Sequence, residues 1–282
     1  MPNIKDHLQI GCEKLRAVGI ENAERDVSIL VQLAIEKTRT FLIAHPEYVL
    51  TERETHSLES MLERRLARVP LQHIRGTQEF FGRDFIVSSE VLIPRPETEI
   101  LVENAISFLK NSNAKRFCEI GVGSGCIAVS ILCESDDVSA IAGDISNTAL
   151  AVAQMNAEKL GVADRLELIA SDVFESLQHQ FFDLIVSNPP YIAVAEIEHL
   201  KPEVRDHDPR MALTDGADGL SVIKALITDS PKFLRSGGRL MIEIGWDQAP
   251  AVDQLIDRRI WSEPLFLPDL QGIPRVLCVN TV

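Results

Sequence analysis

From Arg95 to its C-terminus the chain alternates apolar runs with amphipathic segments, and this alternation restricts the fold more than any other feature of the sequence. It predicts a helix over 97–110, a strand over 115–120, a helix over 124–133, a strand over 138–144, a helix over 146–160 stopped by Gly161, and strands over 165–170 and 182–187. After a polar loop come a helix near 219–234, a strand over 238–244, a helix near 248–258 and terminal strands near 262–267 and 274–280. Parallel strands need crossover connections, and helices supply them. The expected fold is therefore α/β, with a mainly parallel, doubly wound sheet.

Upstream the pattern changes. Ile4, Leu8, Leu15 and Val18 share one helical face ending at Gly19. Ala23, Val27, Leu30, Val31, Ala34 and Ile35 follow a possible Asn22 cap. Thr51 and Glu54 have capping-box spacing, ahead of a stripe of Leu58, Met61, Leu62, Leu66 and Val69 that Pro70 ends. Gln78 to Pro94 holds two partly alternating apolar segments around Ser88, Ser89 and Glu90, and reads as a hairpin. The expected organisation is a helical bundle over 1–75, a hairpin linker over 76–94 and the α/β domain over 95–282.

Composition narrows the function. No window approaches 18 consecutive apolar residues and the N-terminus lacks a signal pattern, so a cytoplasmic protein without membrane spans is expected. Five cysteines form no CxxC pair and seven histidines show no metal-binding spacing, so no metal is expected. Residues 1–75 carry eleven basic and eleven acidic side chains, which places the whole net charge of −14 in residues 76–282. An acidic domain of that kind repels a phosphate backbone, so nucleic acid is a poor partner.

Four places along the α/β region carry chemistry. Glu119 to Gly125, "EIGVGSG", joins the first strand to its helix. The glycines Gly121, Gly123 and Gly125 allow a tight turn and a ligand's approach to the main chain and helix N-terminus. The next strand ends in Asp144, placed to accept from the ribose hydroxyls of an adenosine cofactor or else to cap the following helix. The third strand ends in Asp172 and Val173, suited to an adenine amino group and ring, or to a simple turn.

The fourth strand ends in Asn188, Pro189, Pro190 and Tyr191. The Asn188 side-chain oxygen and the Pro189 carbonyl can each take one hydrogen of a planar amide or amine, Pro190 fixes that carbonyl, and Tyr191 offers an aromatic face. Such a set aligns a nitrogen for in-line attack and relies on positioning rather than on a strong base. An ordinary Asn-Pro turn is the competing explanation.

Residues 95–244, with the glycine loop, the two acids and NPPY, resemble class I S-adenosylmethionine-dependent methyltransferases. "VLIPRPETEILVE" (Val91 to Glu103) and "HLKPEVRDHDPRMALTDGADGL" (His199 to Leu220) narrow the likeness to the PrmC/HemK family of protein-glutamine methyltransferases. The resemblance implies a Rossmann-like seven-stranded sheet and S-adenosylmethionine as cofactor, held by Glu119, Gly121, Val122, Gly123, Ser124, Gly125, Asp144, Asp172, Val173 and Asn188. It implies that Asn188, Pro189, Pro190 and Tyr191 receive and methylate the GGQ glutamine of class I peptide chain release factors. It leaves Arg95 and Glu97 to organise the lip of the site, while Pro96 and Thr98 start a helix.

Asp208 departs from the family's usual Glu, and Pro274 stands where a polar residue is usual. Two alternatives remain: a methyltransferase of adenine or guanine amino groups, and a non-catalytic adaptor with this fold. The first predicts a basic face. The densest basic run, "ERRLAR" (Glu63 to Arg68), is expected to form salt bridges or a release-factor contact, and a monomer is the default.

Overall fold

The computed structural model describes residues 2–112 and 114–282. The chain divides into a smaller unit that runs to Gly76 and takes in Pro202–His207, and a larger one of Thr77–Lys201 and Asp208–Val282.

The smaller unit is helical: α1 (Ile4–Ala17), α2 (Ala23–Ile35), α3 (Arg39–Ala44), α4 (Glu52–Leu66) and α5 (Leu71–Arg75). The Thr51–Glu54 capping box forms at the start of α4, whereas Asn22 sits at the N-cap of α2 without a side-chain cap bond. A second capping box, Asn3 with Asp6, opens α1. The apolar stripes meet in one core of Ile4, Leu15, Val27, Leu30, Val31 and Leu58. Val18 is an exception. It lies past the end of α1 at the C-cap and is 39% exposed. Helices α3 and α5, six and five residues long, are too short to show a period in the sequence. In the ERRLAR run, the buried Arg65 pairs with Asp26 at 2.7 Å and with Glu203 at 3.2 Å, and Arg68 adds a 3.0 Å contact to Glu203. Arg65 and Arg68 are thus spent on ion pairs, those to Glu203 tying the Pro202–His207 segment to this unit, while Arg64 donates to the His73 carbonyl at 3.2 Å.

The hairpin folds back earlier than the sequence predicts. Its strands are β1 (Thr77–Phe80) and β2 (Arg83–Ile86), with Phe80 opposite Arg83, so the turn is Phe81–Gly82 and not Ser88–Glu90. Both turn residues have positive φ, 52° and 69°, which matches the right-handed twist of the strands in a two-residue turn. Glu99 holds this turn by accepting from the Phe81 amide at 2.8 Å. Ile86 exchanges two backbone hydrogen bonds with the Asn156 side chain, and Phe80 and Phe85 are buried in the core of the larger unit.

That core flanks a seven-stranded sheet. After a 3-10 turn at Pro96–Thr98 come α6 (Glu99–Asn111), β3 (Arg116–Ile120), α7 (Cys126–Cys133), β4 (Ser139–Asp144), α8 (Asn147–Lys159), β5 (Leu166–Ala170) and β6 (Phe182–Ser187). The short helices α9 (Pro202–Arg205) and α10 (Arg210–Leu213) interrupt the expected polar loop. They precede α11 (Ser221–Asp229), β7 (Leu234–Glu243), α12 (Ala249–Gln254), β8 (Leu265–Pro268) and β9 (Pro274–Asn280). The order is β5-β4-β3-β6-β7-β9-β8, parallel from β5 to β7, with β9 antiparallel to both of its neighbours. Phe117 and Cys118, adjacent in β3, fall into separate core clusters, as side chains alternating across a doubly covered sheet must. The helix expected to reach 234 stops at Asp229, because Pro231 draws the chain into a 3-10 turn and β7 starts at Leu234. Chain order reverses between β3 and β6, and the crevice at the carboxyl ends of these strands is where an open α/β sheet binds ligands.

Candidate functional site

A cavity of about 310 Å³ opens at that crevice, lined by the glycine loop, the ends of β4, β5 and β6, and the Pro94–Thr98 segment. The loop's shape follows from its glycines: Gly121, Gly123 and Gly125 have φ of 77°, 52° and 79°. The Gly121 and Val122 amides both donate to the Gly143 carbonyl, at 2.9 and 3.0 Å. A methyl group added at Gly125 would press on Ala153 at 3.2 Å, so close packing of α7 on α8 also requires a glycine there. Glu119 is fully buried, and its Oε2 accepts from the Ala128 amide at 2.8 Å in the first turn of α7. Burial holds its carboxyl well above the usual range.

Asp144 ends β4 and resolves the choice between cap and site in an unexpected way. Ser146 caps α8, accepting from the Ala149 amide, while Asp144 accepts from the Gly123 amide and the Ser146 amide, both at 2.9 Å. Two backbone donors fix its carboxylate beside the loop and leave lone pairs on both oxygens. Beyond β5, Val173 lines the cavity with φ of 46°, a strained position for a β-branched residue that costs on the order of 1–3 kcal/mol. Ser171 restrains this turn: its hydroxyl donates to the Val173 carbonyl at 3.1 Å and accepts from the Ser176 amide at 3.1 Å. Asp172 is exposed at the cavity rim.

At the end of β6, Asn188 and Pro190 line the cavity. The Asn188 amide donates to the Thr98 hydroxyl at 3.1 Å. Thr98 is 1% exposed, so it anchors the site as well as preceding α6. With Nδ2 engaged, Oδ1 points to the opposite side of the amide and takes no hydrogen bond among the described residues. Tyr191 is half-buried against the core, and its hydroxyl donates to Glu243 at 3.2 Å. Burial first, and then Glu243, push that phenol up.

The structure therefore gathers Glu119, Gly121, Val122, Gly123, Ser124, Asp144, Asp172, Val173, Asn188 and Pro190 around one cavity. Gly125, Pro189 and Tyr191 stand behind the lining. Sequence reasoning did not find Glu243 or Gln248. The Gln248 side chain donates to the Tyr191 carbonyl at 2.9 Å and accepts from the Gly245 amide at 2.8 Å, clamping the backbone after the prolines. The usable signal for Glu243 was an acid inside the apolar run of β7.

Matches to known proteins agree with this geometry. Residues 6–76 match the PrmC N-terminal domain and residues 97–201 the methyltransferase small domain. The release factor glutamine methyltransferase of Cereibacter sphaeroides is 41% identical over 272 residues, covering 96% of each chain. The chain belongs to the release factor glutamine methyltransferase family. It is also 36% identical over 306 residues to the bifunctional methyltransferase of Rickettsia bellii, of whose length it spans 55%. Among solved structures, the hMettl16 catalytic domain in complex with MAT2A 3'UTR hairpin 6 shares the fold at a TM-score of 0.58 and 16% identity, over 78% of this chain and 81% of that one.

Membership of this methyltransferase family implies S-adenosylmethionine as the methyl donor. The residues present fit such a group. Gly123 leaves open space where a side chain would begin, and the Asp144 carboxylate beside it keeps free lone pairs for hydroxyls. Val122, Ile127 and Val173 supply apolar walls for a ring.

Proposed function

We propose that the protein transfers a methyl group from S-adenosylmethionine to the side-chain amide nitrogen of the glutamine in the GGQ motif of class I peptide chain release factors. The observation that carries this reading is the Asn188–Thr98 hydrogen bond of 3.1 Å, which engages the nitrogen of Asn188 and leaves its oxygen as an acceptor without a hydrogen bond among the described residues. An amide nitrogen is a poor nucleophile because its lone pair is delocalised, and both of its hydrogens need acceptors when water is excluded. In this reading Asn188 Oδ1 takes one and the Pro189 carbonyl, just behind the lining of the cavity, takes the other, aligning the lone pair for in-line attack. When bound, S-adenosylmethionine would supply a sulfonium-activated methyl group and leave as S-adenosylhomocysteine, and the methylated amide nitrogen would release one proton to solvent. The glycine loop and Asp144 hold the cofactor, with Asp172 and Val173 at its ring.

In the same reading residues 1–75 dock the release factor, 76–94 link, and 95–282 carry the chemistry, in a cytoplasmic monomer that acts on no nucleic acid. Among the described residues no helix is long and apolar enough to cross a membrane. The test is incubation with labelled S-adenosylmethionine and purified release factor, with the same factor lacking its GGQ glutamine, and with DNA and rRNA fragments. Label on the intact factor alone is expected. Label on the replaced factor, or only on nucleic acid, overturns the proposal.

A further inference from the structure

Glu243 ends β7 beneath the site, is 2% exposed, and has no part in the chemistry above. Its Oε1 accepts from the Tyr191 hydroxyl at 3.2 Å. The Thr98 hydroxyl lies close enough to the same carboxyl to lower its pKa by hydrogen bonding. Oε2 is buried with no regular hydrogen-bond partner among the described residues, so acceptor capacity remains that burial makes costly to leave unused.

Proton counting decides how this cluster is ordered. Thr98 Oγ1 already accepts from the Asn188 amide, so its single hydrogen is free to be given away, and the carboxyl is the neighbour able to take it. We propose that Glu243 is a positioning residue for methyl transfer: as a carboxylate it holds the Thr98 and Tyr191 hydroxyls as donors and, through Thr98, fixes Asn188 with Oδ1 outward. The inference deepens the proposed methylation of an amide nitrogen and rests on it.

The arrangement is sensitive to protonation. Burial raises the Glu243 carboxyl to about 7; Thr98, Tyr191 and Arg275 draw it down, and Glu97 pushes it up. Cys126 on α7 also feels the Glu243 charge. Once protonated, Glu243 becomes a donor. A proton offered to Thr98 Oγ1 makes that oxygen accept from Glu243 and the Asn188 amide at once and leaves the Thr98 hydrogen without its acceptor, so the hydrogen bond to the Asn188 side chain weakens.

The experiment uses the full chain and release factor, with kcat and KM measured from pH 6 to 8.5, S-adenosylhomocysteine affinity by calorimetry, and the Asn188 side-chain amide followed by NMR without substrate. For the unmodified protein kcat falls about tenfold from pH 8 to pH 6, since a group titrating near 7 is then mostly protonated. The Asn188 amide resonances shift with the same midpoint. Glu243→Gln lowers kcat by about tenfold to a hundredfold, flattens both profiles and leaves S-adenosylhomocysteine affinity within about twofold. Tyr191→Phe removes one hydrogen bond to the carboxylate and moves the NMR midpoint upward. Asn188 resonances indifferent to pH, or Glu243→Gln with an unchanged kcat and an unchanged inflection, overturn the inference. If Glu243→Gln does not fold, the unmodified protein and Tyr191→Phe decide it by their midpoints. A protein that methylates no release factor yet shows the Asn188 titration refutes the substrate and keeps the linkage.

Discussion

Arg95 Nη2 lies 2.6 Å from Asp208 Oδ2, which pairs the one basic residue of the PRPETE segment with an acid of the His199–Leu220 segment. The two are far apart in sequence, and their contact closes the Pro94–Thr98 wall of the cavity onto the Pro209–Met211 wall. Arg95 is partly exposed while the Asp208 side chain is 1% exposed, so the pair is asymmetric. Arg95→Ala removes a charged partner from a buried carboxyl and should cost about 1–3 kcal/mol of stability, read as a lowered denaturation midpoint. Arg95→Lys, which keeps the charge and loses the planar fork, should recover part of the loss.

Gly219 carries the second prediction. It has φ of 79°, and a methyl group there would collide with the Tyr191 carbonyl. Asp215 holds the surrounding loop by accepting from the Ala217, Gly219 and Ser221 amides at 2.9, 3.0 and 2.8 Å. Gly216 has nearly the same φ, 80°, but open space around it. Gly216→Ala should therefore cost only the left-handed strain, about 1–2 kcal/mol, whereas Gly219→Ala should also displace Tyr191 and abolish most turnover. Thermal melts and kcat of the two variants, measured together, check the ordering.

The buried carboxyl of Glu243 makes the third prediction. Its folded pKa, about 7, lies above its ordinary value of 4.5, so between these the folded protein binds more protons than the unfolded chain. Stability contributed by this site is then fully present below about pH 4.5 and lost progressively up to about pH 7. Relative to Glu243→Gln, the unmodified protein should lose a few kcal/mol over that window, since each pKa unit is worth about 1.4 kcal/mol. Urea midpoints of both proteins at several pH values measure the difference. Parallel curves would show that Glu243 does not titrate there.

The sheet was legible because each buried strand writes its own apolar run, as "FDLIVS" does for β6, and the glycine loop announces its positive φ angles. The hairpin turn was misplaced because Phe81 gives no hint of a positive φ that Glu99 stabilises from a distance. The residues that line the cavity were readable from local motifs. The layer behind it was not: Thr98 looks like a helix start, Glu243 like a strand end and Gln248 like a polar loop residue, until the fold brings each to the NPPY segment. Local pattern reveals what a residue does to its own backbone, and long-range hydrogen bonds leave no such trace.

Thr98 supplies the sharpest separation of cofactor binding from chemistry. Thr98→Val preserves shape but removes both the acceptor for the Asn188 amide and the donor toward Glu243. Asn188 can then rotate its amide, and a nitrogen facing the cavity repels the substrate's own N–H groups instead of accepting from them. A fall in kcat of about tenfold to a hundredfold is expected, with S-adenosylmethionine affinity nearly unchanged, because a misplaced aligning group raises the barrier and not the cofactor's dissociation constant. Thr98→Ser keeps the hydroxyl and should recover most of the turnover. Asn188→Ala should lose as much as Thr98→Val, and the double variant should lose little more than either alone, since both remove one aligned oxygen. Fully additive losses would mean that Thr98 acts on turnover by a route other than Asn188.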